Sequence, residues 1–116
     1  MSSHEGDLQV LAAMASHGAD LSKPAHTIHY LYFKTLENAN AAADELRGSG
    51  YETVKVHPSP PTSIWEKLFG SKTFSCIAET HTVPSQSSVF ATTDRMNTLA
   101  STLGGEYDGW EASIEK

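Results

Sequence analysis

Six histidines, at positions 4, 17, 26, 29, 57 and 81, and a single cysteine, Cys76, are the residues whose types most readily do chemistry in this chain. Neutral imidazole is a common metal ligand and a proton acceptor near neutral pH. The spacing supports neither use. His26 and His29 straddle the entrance of an expected strand, His57 and His81 end two others, and no Cys pair or His-Glu helical motif accompanies them. The expectation is therefore no metal and no cofactor. Cys76 as a nucleophile would need an electropositive, partly exposed setting with a base nearby. His81 is the nearest base in sequence, but an odd separation along a regular strand sends the two side chains to opposite faces. Cys76 thus reads as a small buried core residue. Gly104-Gly105 follows an expected helix, whereas a phosphate cradle precedes one. No catalytic set emerges, and the chain reads as a non-enzyme.

The composition narrows the partners. Fourteen Asp and Glu against eight Lys and Arg give a net charge of -6 over 116 residues, with 39% of the chain hydrophobic. That is a globular composition of a size that suits one hydrophobic core. An acidic balance works against phosphate backbones and anionic lipid, so direct nucleic-acid or membrane binding is not expected. A lone cysteine forms no internal disulfide, which favours a reducing, cytoplasmic setting. The longest apolar run, Val10 to Ala15, is far short of the roughly 20 residues that cross a bilayer. Glu5 and Asp7 precede it where a signal peptide would carry Lys or Arg, so the N-terminus reads as mature.

The elements that must position these residues follow from periodicity and from Gly and Pro punctuation. Ser2 and Glu5 have capping-box spacing, and Leu8, Leu11, Ala12 and Ala15 fall on one helical face before Gly18. Thr27 to Phe33 reads as a strand with Ile28, Tyr30 and Tyr32 on one face. Thr35 caps a helix with a stripe of Leu36, Ala39, Ala43 and Leu46, stopped by Gly48 and Gly50. Tyr51 to His57 follows as a strand. Val54 and Val56 point to one side of it, with Tyr51, Thr53, Lys55 and His57 on the other. After the Pro58, Pro60, Pro61 cluster and a long loop, Thr73 to His81 forms a third strand with Phe74, Cys76 and Ala78 inward. Pro84 suits the first turn of a second long helix, striped by Val89, Met96, Leu99, Ala100 and Leu103. Tyr107 to Ile114 is the last strand, in which Asp108-Gly109 can form a bulge that re-aims Tyr107 and Trp110. The order is that of an α+β ferredoxin-like sandwich: a four-stranded antiparallel sheet with two helices on one face, spanning residues 19–116, preceded by an amphipathic helix within 1–18.

Three features remain that bear on binding. Tyr30, Tyr32 and Phe33 superficially match RNA-recognition sheets, but TFSCIAETH lacks their basic Gly-aromatic signature. In the loop at residues 58–72, Ile64, Trp65, Leu68 and Phe69 sit at helical spacing, either to cover the open sheet face or to meet a partner, which makes Trp65 a candidate contact. Residues 81–116 carry Asp94, Glu106, Asp108, Glu111 and Glu115 against Arg95 and Lys116. The last strand is a candidate acidic edge, kept for solubility or for docking on a basic partner.

The string GGEYDGWEASIEK after a Leu- and Ala-containing helix resembles the ending of the regulator of ribonuclease E activity B (RraB) family. GADLSKP before a strand, HYLYF, an Ala- and Glu-rich helix ending near GY, and the THTVP step into the second long helix occur in that family's order. The resemblance implies a ferredoxin-like domain without catalytic activity that binds ribonuclease E as a protein inhibitor and modulates RNA turnover. It makes Glu106, Asp108 and Glu111 candidate partner contacts. The competing expectation is a small-molecule-binding regulatory module, with the ligand on the open sheet face or at a dimer interface. A third is a small enzyme acting through His57, His81 or Cys76.

Overall fold

The computed structural model describes residues 4–58 and 73–115. In chain order the elements are α1 (Glu5–Ser16), β1 (Ala25–Phe33), α2 (Leu36–Gly48), β2 (Thr53–Pro58), β3 (Phe74–Thr82), α3 (Gln86–Thr102) and β4 (Glu106–Ala112). The strands form one antiparallel sheet in the order β2-β3-β1-β4, the ferredoxin-like arrangement. Helix α2 lies over β2 and β3, α3 lies over β4 and β1, and α1 packs on α3. No helix among the described residues is long and apolar enough to cross a membrane.

The sheet's two central strands are built by alternation. Along β1, Ala25, Thr27, His29, Leu31 and Phe33 are buried, and Ile28, Tyr30 and Tyr32 are half-buried on the opposite face. Register pairs Leu31 with Cys76 and His29 with Ala78, so these side chains share the helix-covered face. Leu31, Phe33, Cys76 and Ala78 are fully buried there against Ala39, Ala42, Ala43, Leu46, Met96 and Ala100. Burying each large aliphatic or aromatic side chain contributes about 1.5–3 kcal/mol, and the alanines of α2 let its backbone approach the sheet closely. The helices start on side-chain caps: Thr35 Oγ1 accepts from the Asn38 N–H, and Ser85 Oγ accepts from the Ser88 N–H.

Several expectations are corrected. Helix α1 begins at Glu5 with His4 at its cap and no side-chain capping bond; Ser2, expected as the capping partner of Glu5, lies outside the described residues. Tertiary contact sets that start: His4 stacks on Phe90 at 4.0 Å and bonds Asp94 at 2.9 Å. The buried stripe of α1 is Asp7, Leu11 and Met14, while Leu8 is 46% exposed and Ala12 and Ala15 face solvent. A carboxylate on the inner face rotates the helix away from its apparent apolar stripe. Leu36 is likewise exposed, because Ala42 completes the inner face of α2. Tyr51 precedes β2 and escapes its pleat: it packs on the core, edge-on to His29 at 5.8 Å, rather than facing outward. Pro84 stands before the Ser85 cap, fully buried, not within the first turn. β1 starts two residues earlier than expected, and β4 stops at Ala112. The stretch with Trp65 and its helical spacing lies outside the described residues.

Candidate functional site

The segment GGEYDGWE is built from local backbone constraints. Gly104, at φ 70°, turns the chain out of α3. At Gly105 a Cβ would overlap the Tyr32 carbonyl oxygen and the Phe33 ring, so only glycine permits β4 to approach β1 here. Further along, Tyr30 pairs with Gly109 and Leu31 with Tyr107, which leaves Asp108 as an extra residue, a β-bulge with Gly109 at φ 111°. In a regular strand Tyr107 and Trp110, three apart, would face opposite sides. The bulge returns both to the helix side, opposite Leu31 and His29. The expected bulge is thus present and re-aims both aromatics.

On that inner side the motif ties the N-terminal helix to the sheet. The Trp110 indole N–H donates to Asp7 Oδ1 at 2.8 Å, and the Thr93 hydroxyl donates to the same oxygen at 3.0 Å. Asp7 is 5% exposed, and its Oδ2 has no hydrogen-bond partner among the described residues. Leu11, Met14, Ala25 and Val89 form a second apolar cluster around this contact. Next to it, Tyr107 Oη lies 2.8 Å from His29 Nδ1. Burial depresses the His29 imidazole to about 4, and burial and the Asp7 charge hold the Tyr107 hydroxyl far above its ordinary range. The pair is neutral and structural.

The outer face carries the charges. By register, Glu106 sits beside Tyr32, Gly109 beside Tyr30 and Glu111 beside Ile28, while β3 adds Ser75, Ile77 and Glu79 and β2 adds Thr53, Lys55 and His57. Glu106, Asp108 and Glu111 are exposed. Tyr30 donates its hydroxyl proton to Glu111 at 2.6 Å, and that bond, with burial and the surrounding charges, pushes the phenol up to about 12. Burial and the Asp108 charge raise Tyr32 too. At the far end of the face His26 bonds Glu79 at 2.8 Å and His81 bonds Glu52 at 3.0 Å, with the two imidazoles stacked at 5.1 Å. Hydrogen bonds from the His81 ring and backbone N–H hold the Glu52 carboxyl below its ordinary range.

Among the sequence candidates, then, Glu106, Asp108 and Glu111 come together on the exposed strand, and Trp65 lies outside the described residues. His81 projects on the face away from the helices and Cys76 on the helix-covered one. Burial pushes the Cys76 thiol up to about 11, a protonated, inert state at neutral pH. Among the described residues no group of three or more His, Cys, Asp or Glu is placed to hold a metal ion. Sequence reasoning missed the Asp7–Trp110–Thr93 contact. Its only signal was an acidic residue at i, i+4 and i+7 spacing with Leu11 and Met14. It also missed a groove of about 650 Å³ between α2 and α3, floored by Leu46, Met96, Leu99 and Leu103, with Glu45 and Arg95 at its rim.

A family model described as regulator of ribonuclease activity B matches residues 4–112, nearly the whole chain. No curated protein matches it.

Proposed function

The chain belongs to the regulator of ribonuclease activity B family, and on that premise we propose that it is a non-catalytic inhibitor that binds a ribonuclease of the ribonuclease E type through the acidic side of β4. The family match over residues 4–112 is the observation that carries this reading. Glu106, Asp108 and Glu111, exposed on one edge strand, supply a charged surface that steers association with a basic partner. The bulge in the β1–β4 ladder fits the same reading, since a kinked edge strand is a poor template for further strand pairing and favours recognition through side chains. RNA is a poor direct ligand here: Tyr30 and Tyr32 occupy a face on which RNA-binding sheets stack bases, but the neighbouring carboxylates repel phosphate. Binding to protein in the cytoplasm, with an effect on RNA turnover, completes the reading.

The test is capture of purified ribonuclease E by the immobilised chain, together with an RNA cleavage assay across a salt series. The expected result is binding and slowed cleavage at low ionic strength, weakening as salt rises. Absence of binding at the lowest salt refutes the assignment. A second reading, a small-molecule-binding regulatory module, draws on the α2/α3 groove, whose volume falls in the range of ligand pockets. Thermal-shift screening separates the two, because a bound metabolite raises the melting temperature in proportion to the logarithm of its concentration over Kd.

A further inference from the structure

Resting on the reading of this chain as a protein that docks on a ribonuclease, we propose that the sheet face turned away from the helices, around Gly109 of the edge strand, is an arginine-binding slot and that the partner offers it an arginine-rich segment. Gly109 is the position on β4 beside Tyr30, and it contributes no side chain to the face. An ideal Cβ built there meets no atom within 4 Å. The gap is bounded along β4 by Glu106 and Asp108 on one side and Glu111 on the other, and toward the sheet centre by Tyr30 and Tyr32. Ile28 and Ile77, on the same face, extend an apolar floor. Tyr30 is already held by its 2.6 Å hydrogen bond to Glu111, so ring and carboxylate are ordered before any partner arrives.

The charge balance names the occupant. Glu79, Glu106, Asp108 and Glu111 stand on or beside this face, while Lys55 is a cation that the strand register places on it. A cationic side chain is therefore favoured, and the neighbouring aromatics select among cations. A guanidinium is planar and weakly hydrated; it stacks on a tyrosine face while its paired N–H groups meet a carboxylate edge. An ammonium satisfies the charge but not the plane. Nucleic acid is disfavoured by the same carboxylates that favour arginine.

The experiment uses the full chain and two peptides of equal length and charge, one alternating Arg with Ala and the other Lys with Ala, titrated by calorimetry at low and moderate salt. The Arg peptide is expected to bind about fivefold more tightly than the Lys peptide. Replacing Glu106→Gln together with Glu111→Gln should weaken the Arg peptide by about tenfold at low salt. Tyr32→Leu should leave Lys binding nearly unchanged and erase the preference for Arg. Thermal melts check that each variant folds. Should the double variant unfold, Asp108→Asn, at the unpaired bulge residue, carries the test with a loss of about twofold to threefold. Equal affinity for the two peptides, or unchanged affinity in the folded variants, overturns the slot. The same variants in the ribonuclease E capture assay separate the two ideas. Wild-type capture that the variants retain removes the slot and keeps the regulator. Selective Arg-peptide binding without ribonuclease E capture keeps the slot and removes that regulator assignment.

Discussion

Acid should weaken this fold through a single buried imidazole. His29 is 4% exposed in the middle of β1, bonded to Tyr107 at 2.8 Å, edge-on to Tyr51 and beside the Asp7 contact. Its folded-state value of about 4 lies below the ordinary 6.5, so the native state resists the proton that the unfolded chain accepts. A depressed histidine contributes nothing to pH dependence well above 6.5. As pH falls from about 6.5 toward about 4 the unfolded state gains a proton the native state lacks, and stability drops; below about 4 both states are protonated and the loss levels off. Linkage between the two values gives a loss of about 2 kcal/mol between roughly pH 7.5 and roughly pH 5. That is a large part of a small domain's stability.

Urea denaturation of the wild type and of His29→Gln at those two pH values isolates the effect. Glutamine keeps a hydrogen-bonding group for Tyr107 but does not titrate. The variant is expected to be less stable at neutral pH and to lose about 2 kcal/mol less than the wild type on acidification. Parallel losses in the two proteins would show that His29 is not the group responsible, and that its burial does not suppress its protonation.

The Asp7 contact, Gly105 just before the last strand and Gly109 within it give three further predictions. Asp7→Ala strips the acceptor from the Trp110 indole and the Thr93 hydroxyl, with an expected loss of about 2–3 kcal/mol in urea denaturation, whereas Asp7→Asn, which keeps an acceptor oxygen, should lose much less. Gly105→Ala forces a methyl against the Tyr32 carbonyl and the Phe33 ring and should cost about 1–3 kcal/mol by the same assay. Gly109→Ala meets no neighbouring atom but places an L-residue at φ 111°, so its cost of about 1–3 kcal/mol comes from backbone strain alone; an unchanged melting temperature would contradict the bulge geometry.

Element order and strand pairing were legible because alternation and glycine punctuation are local signals. What was not legible was which face or stripe turned inward. In β1 both faces carry bulky residues, Leu31 and Phe33 on one and Ile28, Tyr30 and Tyr32 on the other, so period 2 separates the sets without ranking them. In α1 the misleading signal was chemical. A hydropathy reading puts Asp7 outside, and only its partners on α3 and β4, 86 and 103 positions along the chain, make its burial favourable. The same distance hid the role of Trp110. The sequence marked Glu106, Asp108 and Glu111 as an acidic strand, but the register that sets Glu106 and Glu111 beside Tyr32 and Ile28 appears only once β4 pairs with β1.

The bulge links the two sides of the sheet. Were residues 107–110 paired one for one, with no bulge at Asp108, strict alternation would turn either Tyr107 or Trp110 outward: the first would lose its contact with His29, or the second its contact with Asp7. An outward indole or phenol would also fill the space over the outer side of β4 that glycine leaves open. Placing both aromatics inside lets one short strand anchor α1 and complete the core while its outer side carries carboxylates and a gap. Deleting Asp108 leaves Tyr107 and Trp110 two apart and still both inward, so the variant should melt close to the wild type while the outer side loses a carboxylate and arginine peptides bind about twofold to threefold more weakly. A melting temperature lowered as far as in Asp7→Ala would show instead that the inner anchoring needs the extra residue itself.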